Sequence, residues 1–219
     1  MHKEEKQMLD NYNYQKEANI TCLIEDKGYV ERKNVMLQRV RKFSEANIGW
    51  GMGCSTNLFL RGIVDEFHDF DLIVDAKDIP AIQKIIEELG GELIATGGNG
   101  FCESDNYFHY QLGRVDVDVI SGFRVKTFGT EYLYKYDLKE IETCIIYEED
   151  IVKIPLIPME ALYLLYCMME GWQSKRRYKR VLIQEYLRNN IKYKTILEEA
   201  LNQELPSWVK RNVRELLEA

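Results

Sequence analysis

His68-Asp69-Phe70-Asp71-Leu72-Ile73-Val74 sets two aspartates at i and i+2 on the way into a run of strand formers. Residues two apart on a strand share a face, and the strand rise separates them by about 6–7 Å, so both carboxylates converge on one site. Aspartate is depleted in strands and like charges repel, so the pair calls for a compensating cation. A divalent metal supplies one. Arg114-Val115-Asp116-Val117-Asp118-Val119-Ile120 repeats the pattern, with Val115, Val117 and Val119 directed at a core and Asp116 and Asp118 at the opposite face. Hard oxygen donors of this kind suit Mg²⁺, which leaves coordination positions open for substrate phosphates. The competing reading is two acidic stripes on the wet face of a half-exposed sheet.

Upstream of the first pair lies Gly51-Met52-Gly53-Cys54-Ser55-Thr56, a turn that opens a short helix expected over 57–61. Glycine lets backbone approach a phosphate, and helix N-terminal amides with the Ser55 or Thr56 hydroxyl can hydrogen-bond it. Taken alone, Ser55 reads as a plain N-cap. A dinucleotide-binding turn is rejected, because Gly49, Gly51 and Gly53 have the wrong spacing and Gly62 cuts the following helix too short. A Walker-type Lys-Ser/Thr turn is absent.

Around these motifs the pattern alternates between helix and strand. Residues 1–20 read as a polar part of an N-terminal arm covering 1–30, and Glu31 to Ala46 reads as a helix from the recurrence of Val35, Leu37, Val40 and Phe43. Strands are expected at 48–52 and 70–74, then an amphipathic helix from Ile79 to Leu89 closed by Gly90-Gly91. Four further strands are expected at 92–95, 107–112, 114–120 and 143–147, and Tyr132, Tyr134 and Tyr136 alternate on another, where sheet packing is preferred over stacking a base or ring. Gly97-Gly98-Asn99-Gly100 reads as the most flexible stretch. After Pro158 the periodicity is helical throughout, so the chain divides into a domain over 31–157 and a helical C-terminal domain over 158–219. The fold class is α/β (α+β).

Of the 219 residues, 46% are hydrophobic and 30% charged, which describes a chain that buries a core and excludes disorder as its main state. The net charge of −7 opposes non-specific attraction to nucleic acid or an anionic membrane. The longest apolar run, 161–169, falls short of the ~18 residues that span a bilayer. No apolar stretch near Met1 resembles a signal peptide, so a cytoplasmic location is expected. Five scattered cysteines without a Cys-x-x-Cys pair argue against a disulfide framework or structural zinc, and His2, His68 and His109 form no metal motif.

Together, Gly49-Trp50-Gly51-Met52-Gly53-Cys54-Ser55, His68-Asp69-Phe70-Asp71 and Arg114-Val115-Asp116-Val117 resemble the nucleotidyltransferase superfamily that includes DNA polymerase beta. The stretch is similar in particular to the small bacterial antibiotic-type nucleotidyltransferases. The resemblance covers about 48–120 and implies Mg²⁺-dependent transfer of NMP from an NTP such as ATP to a hydroxyl acceptor, with release of pyrophosphate. It implies metal ligation by Asp69, Asp71 and a third aspartate that also aids the hydroxyl nucleophile. Asp116 is preferred for that role by its Arg-hydrophobic-Asp-hydrophobic context, with Asp118 in reserve as a metal ligand. Gly53, Ser55 and Thr56 fall at the phosphate turn. Lys175 and Arg176 belong to a basic run, Lys175 to Arg180, after a helix end at Gly171 and an N-cap at Ser174, and they are expected either to contact phosphates across a cleft or to lie on a solvated face. The acceptor is expected to be a small molecule such as an aminoglycoside or lincosamide. A homodimer is compatible with the resemblance, and long nucleic acid is disfavoured. The alternatives are a catalytically silent member that binds a nucleotide or partner, or a toxin–antitoxin nucleotidyltransferase acting on protein or RNA.

Overall fold

A computed structural model describes residues 27–98, 102–147, 151–170 and 174–218. The expected arm over 1–20, Asn99-Gly100, Gly171 and the side chains of Ser174 and Lys175 lie outside the described residues. The elements run α1 (Lys27–Glu45), β1 (Trp50–Met52), α2 (Cys54–Leu60), β2 (Asp69–Val74), α3 (Ile79–Glu88), β3 (Glu92–Thr96), β4 (Asn106–Leu112), β5 (Val115–Ser121), β6 (Phe123–Thr127), β7 (Thr130–Tyr134), β8 (Glu142–Tyr147) and β9 (Ile151–Leu156). Four helices follow: α4 (Met159–Met169), α5 (Ser174–Leu187), α6 (Lys194–Leu201) and α7 (Ser207–Leu217).

Seven strands form one mixed sheet in the order β3-β4-β5-β2-β1-β9-β8, and β6 and β7 form a separate hairpin. β2 runs parallel to β5 and antiparallel to β1, which in turn runs parallel to β9. The period of two divides each central strand between two cores. Phe70, Leu72, Val74, Val115, Val117 and Val119 pack against α1 and α3, the latter through Ile79, Ile82 and Ile86. Ile73 and Ile120 face the other way, into a core shared with α2, the β6–β7 hairpin and the C-terminal helices. The aspartates therefore lie on this second face, which helices cover in part.

All eleven residues of α4 are buried, and apart from Glu160 its sequence is apolar on every side. Met159, Met168 and Met169 are core there. Tyr132 and Tyr134 are buried in the same core, with their hydroxyls far from the titrating range, so they fill the hairpin's inner face. No helix among the described residues is long and apolar enough to cross a membrane.

Candidate active site

The parallel pairing of β2 with β5 sets Asp69 opposite Asp116 and Asp71 opposite Asp118. The antiparallel pairing of β4 with β5 extends these rows, placing Gln111 beside Asp116 and His109 beside Asp118. Two cross-strand rows result: Gln111–Asp116–Asp69 and His109–Asp118–Asp71.

α2 begins three residues earlier than its periodicity predicts, because Gly53 in extended backbone is its N-cap and the Asn57 amide closes the first turn on the Gly53 carbonyl at 3.0 Å. Ser55 is thus inside the helix. Its hydroxyl donates to Asp69 Oδ1 at 2.9 Å, and the fully buried Thr56 hydroxyl donates to the Asp69 carbonyl at 2.6 Å. The Gly53 amide donates to the Asp71 carbonyl at 2.7 Å. A Cβ on Gly53 would come within 3.1 Å of Ile73 Cγ1 and 3.3 Å of the Asp71 carbonyl oxygen, so any side chain here would press on β2. Cys54 follows at φ 38°, a conformation L residues rarely adopt. The glycine turn therefore clamps α2 onto the aspartate strand.

A cavity of about 420 Å³ opens above these residues. Asp69, Asp71 and Asp118 line one side, and Arg176 and Lys179 of α5 also line it. Asp71 is only 9% exposed. Burial, then the Asp69 and Asp118 carboxylates, hold its carboxyl well above the usual carboxylate range. Burial raises Asp118 as well, opposed by hydrogen bonds from His109 and Tyr107. Burial raises the Cys54 thiol, reinforced by Asp71, so this cavity-lining cysteine is held protonated. Burial also lowers the Lys179 ammonium below its ordinary value. The Arg176 guanidinium lies 5.9 Å from the Tyr166 ring centre.

No protein-family model matches the chain, and no curated protein matches it. Solved structures do. A candidate nucleotidyltransferase of Thermotoga maritima is similar at TM-score 0.53 and 18% identity, over 73% of this chain and 94% of that one. ANT(2'')-Ia in complex with adenylyl-2''-tobramycin is similar at TM-score 0.51 and 12% identity, over 84% of this chain and 98% of that one. The fold is nucleotidyltransferase-like.

Within this nucleotidyltransferase-like fold the residues named from sequence separate into groups. Asp69, Asp71, Asp118, Ser55 and Arg176 line the cavity. Asp116, paired with Asp69, does not line it, and its side chain is 51% exposed against 18% for Asp118. Gly53 and Thr56 hold the turn, and the Thr56 hydroxyl is fully committed to backbone. Of the basic run, Arg180 and Arg177 pair with Glu170 at 3.0 and 3.4 Å and tie α5 to the end of α4. Tyr107 and His109 carry no local signal as site residues and arrive through strand pairing, whereas Lys179 belongs to the basic run and lies three residues after Arg176 on one helix face, a spacing visible in sequence.

Proposed function

We propose that this protein is a Mg²⁺-dependent nucleotidyltransferase that moves NMP from an NTP such as ATP to a hydroxyl of a small molecule. The observation that carries the reading is the cavity lined by three carboxylates from adjacent strands together with two cations from α5. Its volume falls in the ordinary range of small-molecule sites, about 300–1,000 Å³.

The residues fit the metal. Asp69, Asp71 and Asp118 are hard oxygen donors; burial disfavours the charged forms of Asp71 and Asp118, the neighbouring carboxylates add to it at Asp71, and a divalent cation offsets both. No three His, Cys, Asp or Glu side chains among the described residues form a ready-made cage. Mg²⁺ is commonly held in that way, by one or two carboxylates with water and substrate phosphate completing the shell. When bound, the metal polarises the phosphoryl oxygens and stabilises the attacking and leaving oxygens.

The protein's own groups supply the rest. Asp69, fixed by Ser55, and Asp71, fixed by the fold of β2, bind on the triphosphate side. Asp118, in place of Asp116, is the third carboxylate and takes the acceptor hydroxyl's proton, since it shares the cavity with Asp71. Arg176 and Lys179 bind the phosphates. The buried Nε of Arg176 makes no hydrogen bond among the described residues. Asp65 and Glu66 also line the cavity, and with the net charge of −7 they favour a cationic acceptor of the aminoglycoside kind, with a lincosamide as the second choice.

Thermal unfolding with each NTP, in Mg²⁺ and in EDTA, tests this on the wild type and on Asp69→Asn/Asp71→Asn. A ligand that binds only the folded form raises apparent stability by mass action. The expected result is a Mg²⁺-dependent shift absent from the double variant, followed by pyrophosphate release when an aminoglycoside is added. No shift with any NTP overturns the reading and turns attention to a silent, partner-binding protein.

A further inference from the structure

We infer that His109 is a positioning residue that, with Tyr107, fixes which oxygen of Asp118 meets the cavity; the inference rests on the nucleotidyl-transfer reading of this site. His109 sits directly across the β4–β5 ladder from Asp118, and its Nδ1 lies 2.7 Å from Asp118 Oδ1. Tyr107, two residues earlier on the same face of β4, donates its hydroxyl to the same oxygen at 3.0 Å. Both donors take Oδ1. Oδ2 accepts no hydrogen bond from a protein group among the described residues, so it is the oxygen available to a metal or an acceptor hydroxyl.

Toward an ionised Asp118 Oδ1, which only accepts, Nδ1 must be the donor and carry a proton. Nε2 lies 3.8 Å from Asp116, beyond hydrogen-bond reach, and does not compete for that proton. The two donors on one oxygen lock the Asp118 torsion that a single bond would leave free. Partners that orient a ligating carboxylate in this way typically change metal affinity or activity by about 10–100-fold when removed.

Substitution separates the two ring nitrogens. The amide nitrogen of asparagine reaches the place of Nδ1, and that of glutamine the place of Nε2. His109→Asn is expected to stay within about threefold of wild type, whereas His109→Gln and His109→Ala lose roughly 10–100-fold in kcat and in Mn²⁺ affinity, with KM for the acceptor little changed. Mn²⁺ affinity is read from the free-ion electron resonance signal on the full chain without substrate, and thermal unfolding verifies that each variant folds. Nitrogen-15 spectra of the three histidines, with His109 assigned through His109→Asn, are expected to show its proton on Nδ1. A proton on Nε2 alone, or a His109→Gln variant equal to wild type, overturns the positioning role while leaving the nucleotidyl-transfer reading standing. A wild type that binds neither Mn²⁺ nor any NTP overturns that reading and this inference with it.

Discussion

Asp71 stands directly across the parallel β2–β5 ladder from Asp118, and burial raises both carboxyls above the usual range. A carboxyl with a folded pKa above its unfolded value binds more protons folded than unfolded. Its contribution to stability therefore falls as pH rises from the ordinary carboxylate range through the raised value. Mutual repulsion across one ladder step adds to the cost of burial. The pair is thus destabilising near neutrality, a cost that the proposed divalent cation is expected to offset.

Asp71→Asn removes that penalty. In EDTA at pH 7 the variant is expected to unfold at a higher temperature than wild type, by about 2–4 °C per kcal/mol recovered in a chain of this size. The gap should close near pH 4, where both forms approach neutrality in the unfolded reference. With Mg²⁺ and NTP the order reverses, because only wild type gains from the ligand. Calorimetry across this pH range measures it; a wild type more stable than Asp71→Asn in EDTA at pH 7 contradicts the picture.

The two aspartates of β5 are separable by the same kind of variant. Asp118→Asn is expected to lower the rate of nucleotidyl transfer on the order of a hundredfold or more, equivalent to about 3 kcal/mol of transition-state stabilisation. Asp116→Asn is expected to stay within roughly threefold, since its half-exposed side chain lies outside the cavity. Steady-state pyrophosphate release compares them. A reversed order returns the third carboxylate to Asp116.

Sequence periodicity makes the acidic face legible, because the alternation of Val115, Val117 and Val119 with Asp116 and Asp118 leaves the acids only one face to occupy. It does not say which of two acids on that face lies opposite Asp71, since parallel register is set by tertiary packing and not by either strand alone. Tyr107 and His109 are hidden for a related reason: they reach Asp118 only through the β4–β5 pairing. Gly53, in turn, is legible as a turn residue, but the start of α2 is set by its close approach to Ile73 and Asp71. The basic run is visible as charge, yet its division between the cavity and Glu170 depends on how α5 packs on α4.

That division makes its own prediction. Arg176→Ala and Lys179→Ala are expected to weaken NTP binding roughly 10- to 150-fold each, because each removes a charge-assisted contact to phosphate of roughly 1.5–3 kcal/mol. Arg180→Ala is expected to act on stability instead, since it removes the shorter of the two ion pairs that tie α5 to Glu170 at the α4 end. Titration calorimetry for NTP and thermal unfolding for each variant distinguish the two effects. Equal losses of affinity for Arg180→Ala and Arg176→Ala refute the separation.

Asn57 is the last test, because it joins three elements behind the site. Its buried amide donates to the carbonyls of Met52 at 2.8 Å and Ile157 at 2.9 Å, and its oxygen accepts from Arg61 Nε at 2.8 Å. Arg61 in turn pairs with Glu142 at 2.8 Å. Asn57→Ala leaves the Ile157 carbonyl dependent on the longer 3.5 Å contact from Arg61, and frees the guanidinium from one anchor. An unsatisfied buried polar group costs about 1–3 kcal/mol, which for a chain of this length corresponds to a fall in Tm of several degrees. Because α2 carries Ser55 to Asp69, the loss should also loosen metal-dependent NTP binding measured well below Tm. A variant with wild-type Tm and undiminished binding means that the turn is held by Gly53 and Thr56 without Asn57.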